Sequence, residues 1–321
     1  MSEATTFFLD CGDAALAAWR GFAPDAEPGR LLLGEDYWIA LSFARLRDAG
    51  LPVRLDNRLP DAGTVVFYAG HKRAVWRQHH RGNRALLVAV RSDRRPVGFA
   101  DAEIVQNAAS ADGRRSFHLP HWPQPGLLPR DPSRGAALRT LLFPGTPQNL
   151  HPDFASPRWH RFLAERGIVF RQQDGAQPAA WPDYRDVDAL LAIRPSGARL
   201  VRNKPAWKLF NAWLAGVPAI LGPEAGYREL REDPLDFLEA HDLDGAMAAV
   251  ERLRDPGVFS AMVEHGRRRG EAFTTAATIE RWRALLEDGL LGSTGGPQRR
   301  PLPRWRRQIG EARMRLRRLR G

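Results

Sequence analysis

Short apolar runs alternate with amphipathic stretches along this chain, and a run of prolines breaks the alternation once. No other feature limits the fold as strongly. In the first half, residues 7–9, 53–55, 64–68, 85–90 and 103–106 are aliphatic, aromatic or β-branched runs separated by turns. That pattern marks parallel strands buried on both faces. Residues 37–49 read as a helix, because Ile39, Phe43 and Leu46 recur at four and three, and Gly50 stands where helices commonly end. Between 118 and 134 lie Pro120, Pro123, Pro125, Pro129 and Pro132, which exclude a helix or a central strand there. The alternation then resumes, with strands expected over 140–143, 168–170, 189–193, 219–221 and 237–239. Helices are expected over 157–165, 205–215, 243–254, 258–266 and 279–286, the second with Pro205 in its first turn and Gly216 just past its end. Two successive arrays predict an α/β chain of two Rossmann-like, doubly wound domains facing each other across a cleft. We place the first at 1–118, a Pro-rich connection at 119–135 and the second at 136–275.

The 321 residues include a single cysteine, Cys11, so a disulfide framework and a cysteine-rich metal site are both excluded. The net charge of +11 raises the question of nucleic acid, but the tail from Arg299 to Arg320 holds ten arginines against one acid, Glu311. The remaining body is therefore near neutrality, which does not describe a basic nucleic-acid groove. No apolar run is long enough to span a bilayer, and the N-terminus lacks the basic region and long apolar stretch of a secretion signal. The expected location is cytoplasmic.

The stretch from Arg194 to Glu229 carries the chemistry. It reads as a loop, a helix, a tight turn, a buried strand and a second loop. Arg194, Arg202, Lys204 and Lys208 gather around the start of the helix, where the backbone dipole already favours an anion. The chain has three lysines, Lys72, Lys204 and Lys208, against 45 arginines. Two of the three falling four apart in one motif points to a need for a compact ammonium where a planar guanidinium would not fit. A diphosphate is the natural guest. Gly145 and Asn149, in the loop after the strand at 140–143, can add backbone N–H groups to a phosphate. His71 follows the strand at 64–68, at its carboxyl end, where a neutral imidazole could take a proton from an acceptor hydroxyl. Glu35 and Asp36 open the first long helix, and acids there are stabilising for dipole reasons alone. His118 and His121 are read as packing residues rather than metal ligands.

The helix-to-loop stretch resembles the donor-binding core of GT-B glycosyltransferases, above all the large retaining group known as family four. The likeness rests on Ala212, on Gly216-Val217-Pro218-Ala219-Ile220, on the spacing from Gly216 to Glu229, and on the segment 236–283. It implies a GT-B fold and transfer of a sugar from a nucleoside-diphosphate sugar to a hydroxyl. No metal or other cofactor is implied, and the spacing Asp186-Val187-Asp188 is then not a metal-diphosphate motif. It also implies that residues 276–290 cross back to the first domain. Where that group has two glutamates eight apart, this chain has Asn203 and Asn211. Asparagine can hold a hydroxyl but cannot act as a carboxylate. The donor-binding set implied is Arg194, Asn203, Lys204, Lys208, Asn211, Gly145, Asn149, Glu224, Tyr227 and Glu229, with either Glu224 or Glu229 gripping ribose or sugar. His71, Lys204 and Lys208 form the catalytic set.

Beyond a linker over 291–301, Trp305, Ile309, Ala312, Leu316 and Leu319 recur at helical spacing among arginines. A basic amphipathic helix over 302–320 suits an anionic membrane surface, so the enzyme is expected to be peripheral on the inner face of the cell membrane, with a glycan or lipid-linked glycan as acceptor. Two other readings stay open: a nucleotide-sugar epimerase of the same fold, and an inactive sugar-nucleotide-binding membrane scaffold.

Overall fold

The computed structural model describes residues 4–79, 83–173, 181–195 and 203–290. The expected tail helix and Arg202 lie outside these residues. The chain divides into two compact units. Unit 1 takes in 1–24, 31–121 and the chain from Thr278 onward, and unit 2 takes in 25–30 and 122–277.

Unit 1 is built on six parallel strands in the order β2-β1-β3-β4-β5-β6. They are β1 (Thr5–Phe8), β2 (Val53–Asp56), β3 (Thr64–Tyr68), β4 (Leu86–Val90), β5 (Ala102–Val105) and β6 (Ser116–His118). Every residue of β1, β3, β4 and β5 is buried. The flanking helices are α1 (Asp13–Arg20), α2 (Leu41–Asp48) and α3 (Lys72–Gln78). The helix expected over 37–49 begins instead as a π-helical turn, Asp36–Ala40, and continues as α2. Phe8, Val65, Phe67, Leu87 and Phe99 form the core on one side of the sheet. The late Trp282 packs edge-on against Phe7, with ring centroids 5.5 Å apart. His121 packs against the rings of Tyr37 and Trp38.

Unit 2 holds five parallel strands in the order β11-β10-β9-β7-β8. These are β7 (Thr140–Pro144), β8 (Val169–Gln173), β9 (Ala189–Ala192), β10 (Ala219–Leu221) and β11 (Leu238–Glu239). Its helices are α4 (Pro157–Ala164), α5 (Trp207–Ala215), α6 (Ala225–Glu229), α7 (Leu243–Leu253) and α8 (Pro256–Gly270), and α9 (Thr275–Ala284) leads back to unit 1. Side chains cap four of these helices: Ser156 caps α4, Asp242 caps α7, Asp255 caps α8 and Thr274 caps α9.

Two expectations change here. The helix read over 205–215 starts at Trp207, since Ala206, at ψ 23°, is not yet helical. The loop read after β10 contains the short helix α6. The Pro-rich stretch from Trp122 onward packs within unit 2. There Trp207 donates its indole N–H to the Trp122 carbonyl at 2.9 Å, and the Gln124 N–H donates to Asn211 Oδ1 at 3.0 Å.

Each sheet has its first strand flanked on one side by its second and on the other by its third. That is the order in which the crossovers leave in opposite directions from the first strand. The resulting crevice at the carboxyl ends of the first and third strands is where open α/β sheets bind ligands. In unit 2 those strands are β7 and β9, and in unit 1 they are β1 and β3.

Candidate active site

Three chain segments meet at the carboxyl ends of the unit 2 strands. The loop after β7 brings Gly145, Thr146 and Asn149. The segment after β9 brings Arg194, and the turn after β10 brings Glu224. Arg194 joins them: its Nη1 donates to Asn149 Oδ1 at 2.5 Å and its Nε to Glu224 Oε1 at 3.1 Å. Asn149 in turn donates through Nδ2 to Thr146 Oγ1 at 2.6 Å. Glu224 has 5% of its side chain exposed and Arg194 has 18%, so this is a largely desolvated ion pair held by additional hydrogen bonds.

Lys208 enters the same place from the first turn of α5. A Cβ added at Gly145 would stand 3.3 Å from Lys208 Nζ and 3.2 Å from the Phe143 ring, so the glycine is what lets the ammonium approach that loop. The ammonium also lies 4.9 Å from the Phe143 ring centroid. Loss of solvation and then the Arg194 charge push Lys208 down to about 7, against the pull of Glu224. Burial raises the Glu224 carboxyl, with Arg194 and Lys208 opposing it. Lys204 lies within electrostatic reach of both. No side chain caps α5 at Ala206, and the N–H groups of Leu209 and Phe210 bond to the Ala206 carbonyl. Among the described residues, the basic side chains Arg194, Lys204 and Lys208 gather here around one carboxylate, Glu224.

The structure thus brings Gly145, Asn149, Arg194, Lys204, Lys208 and Glu224 together. Asn203 directly precedes Lys204, ahead of α5. Asn211 is on the buried side of α5, 3% exposed, with its carbonyl oxygen engaged by Gln124. Tyr227 is 2% exposed and packs near Phe237, and burial raises its phenol. Glu229 is at the far end of α6 from Glu224. Arg228 and Arg231, neighbours of Glu229 in sequence, pair with Glu239.

Asp188 is fully buried at the amino ends of β7 and β9, the opposite end of the sheet from this cluster. It accepts from Arg130, Arg134 and the backbone N–H groups of Arg139 and Thr140. Asp186 pairs with Arg171. Both are structural ion pairs. Among the described residues no group of three or more His, Cys, Asp or Glu side chains is arranged to hold a metal ion, and no helix is long and apolar enough to cross a membrane.

In unit 1, His71 lies just after β3, in a short 3-10 turn. The Asp10 N–H donates to its Nδ1 at 3.3 Å, and its Nε2 lies 3.5 Å from Glu35 Oε1. Glu35 beside His71 is the pairing that sequence reasoning misses. An acid at a helix start has a sufficient local explanation, and nothing in the spacing from 35 to 71 signals contact.

No family model matches the sequence, and no curated protein matches it. Solved structures do match in fold. TarM aligns with a TM-score of 0.50 and 9% sequence identity, covering 72% of this chain and 56% of TarM. An α1,3-fucosyltransferase aligns with a TM-score of 0.50 and 8% identity, covering 89% of this chain and 91% of the other. The chain thus spans little more than half the length of TarM. These likenesses show the fold: α/β, with two parallel-sheet Rossmann-like units of the GT-B kind.

Proposed function

We propose that this protein is a glycosyltransferase that moves a sugar from a nucleoside-diphosphate sugar to a hydroxyl acceptor. The observation that carries this reading is the Lys208–Arg194–Glu224–Asn149 cluster at the switch point of unit 2, where among the described residues Arg194, Lys204 and Lys208 gather around one carboxylate. Buried charge is costly unless it is paired, and a diphosphate would pair with these cations. The same cations would stabilise the charge that develops on the departing diphosphate, the largest electrostatic demand of such a reaction. Glu224 is the better of the two glutamates to grip ribose or sugar, because it already faces the cluster. Asn203 we place near the donor sugar. The donor-binding pattern resembling family four and the fold shared with an α1,3-fucosyltransferase agree with this, the latter at the level of fold alone.

With Lys204, Lys208 and Arg194 meeting the diphosphate, the reaction in this reading is metal-independent, so a chelator should leave its rate unchanged. The arginine-rich segment 302–320 favours an acceptor at an anionic membrane surface, such as a lipid-linked glycan of the cell surface. The test is consumption of donor. Uridine, guanosine, thymidine and adenosine diphosphate sugars are supplied in turn with simple glycosides, and release of the nucleoside diphosphate is followed. One donor should be consumed, and Lys208→Ala should lower the rate by about 10²–10³. Conversion of the donor to its epimer without release would favour an epimerase. Binding without turnover would favour an inactive scaffold.

A further inference from the structure

Glu224 stands at the N-cap of α6, yet its carboxylate does not cap that helix. The side chain turns instead to the cluster and accepts from Arg194 Nε at 3.1 Å. Asp188, a buried acid of the same unit, shows what a structural carboxylate looks like here. Its two oxygens are filled by the Arg130 and Arg134 guanidiniums and by the N–H groups of Arg139 and Thr140. Glu224 is as deeply placed, with 5% of its side chain exposed, but it is held by the mobile end of one arginine rather than by backbone.

Arg194 is occupied from two sides. Glu224 takes Nε and Asn149 takes Nη1, so both forked edges by which a guanidinium grips a phosphate are engaged. In the free protein the carboxylate therefore fills a place that a phosphate oxygen would take. Displacing it has a consequence. The freed carboxylate stays in a desolvated setting beside a new anion, and a buried acceptor left without a donor is penalised. Pyrophosphate brings acceptor oxygens and more negative charge, so it cannot repair this. A ribose or hexose joined to the diphosphate brings hydroxyl donors, which can.

Resting on the diphosphate reading above, we propose that Glu224 is the residue that makes the unit 2 site select a complete sugar nucleotide over a bare diphosphate. It occupies Arg194 until the diphosphate displaces it, and then accepts from hydroxyls of the attached ribose or sugar. The same carboxylate opposes one class of anion and welcomes another, which is selectivity by a repulsive element as well as an attractive one.

Isothermal titration of the full chain at one fixed pH tests this. The probes are inorganic pyrophosphate and the nucleoside-diphosphate sugar that stabilises wild type. The proteins are wild type, Glu224→Gln and Glu224→Asp. Glu224→Gln removes the charge, keeps the shape and adds an N–H donor. It should bind pyrophosphate about 10–100-fold more tightly than wild type and the sugar nucleotide about 10–100-fold more weakly. Glu224→Asp keeps the charge on a shorter arm, so it should gain nothing for pyrophosphate and still lose affinity for the sugar nucleotide. Opposite movement of the two affinities is the signature, since a carboxylate that merely props Arg194 would weaken both. Loss of both, gain of both, or an unchanged pyrophosphate affinity in Glu224→Gln overturns the proposal and leaves the diphosphate reading standing. Should Glu224→Gln not fold, Glu224→Asp decides: tighter pyrophosphate binding, or an undiminished affinity for the sugar nucleotide, overturns it. If neither probe binds any of the three proteins, the diphosphate reading itself fails and the proposal falls with it.

Discussion

Lys208 is the residue on which the donor site turns. In the free protein its ammonium titrates at about 7 rather than the ordinary 10.5. A bound diphosphate favours the charged form and raises that value. Above about pH 7 binding therefore takes up a proton, and donor affinity should fall as pH rises, by up to about tenfold per unit. Isothermal titration across that range checks this, and Lys208→Met should bind weakly with a flattened profile. The sign is opposite for the stability of the free protein. The cost of burying the charged lysine is present below its folded value and fades between about 7 and 10.5, so Lys208 makes the free fold more stable as pH climbs through that window.

Asp188 behaves differently. Burial alone would raise it, but its hydrogen bonds from Arg134, Arg139, Arg130 and Thr140 outweigh that and hold it low. It stabilises unit 2 above the usual carboxylate range, and that contribution is lost as pH falls through its depressed value. Asp188→Asn leaves Arg130 and Arg134 without their acid and should cost about 3–5 kcal/mol in urea unfolding. Lys208 is legible in the sequence because lysine is so scarce in this chain. The partnership of Glu35 with His71 is not legible, because it depends on two loops meeting across the aromatic ring of Tyr68.

Among elements, the central strands are the most legible. A run such as Thr64–Tyr68 is apolar almost throughout because both of its faces are covered, and no other element type fits so short a run bounded by turns. Elements whose stability comes from tertiary packing escape notice. These are α1, rich in alanine and uncapped by any side chain; α3, seven residues also without a side-chain cap; β6, three residues at a sheet edge; and α6, five residues between β10 and β11. The turn ending α5 is legible in detail. Gly216 sits in the left-handed region at φ 70°, and its N–H reaches back to the Ala212 and Trp213 carbonyls. Gly216→Ala should cost about 1–2 kcal/mol, read as a lower melting temperature, with donor affinity unchanged because the cluster lies at the other end of the helix. A loss of affinity equal to that of Lys208→Met would mean that the helix, not its first turn, makes the site.

At the scale of the molecule, both sheets repeat one strand order, and each places its candidate chemistry at the corresponding crevice: cations in unit 2, a carboxylate–imidazole pair in unit 1. The doubling is legible from the βα pattern restarting after the prolines. The contact of Trp282 with Phe7, far apart in the chain, is one that no local pattern announces. The segment beyond residue 290 carries most of the net charge. Its removal should abolish salt-sensitive sedimentation with phosphatidylglycerol vesicles while leaving donor binding intact; persistence of vesicle binding would locate the membrane contact elsewhere.

The central claim is that the unit 2 cluster is a nucleoside-diphosphate-sugar site. Its most direct test is the melting temperature of the full chain against a panel of such donors, for wild type, Lys208→Ala and Arg194→Ala. One donor should stabilise wild type, by about 2.7 kcal/mol at a hundredfold excess over its dissociation constant, and both variants should lose the shift. If no donor stabilises the wild type, or the alanine variants keep the full shift, the cluster is not the donor site and the account is contradicted.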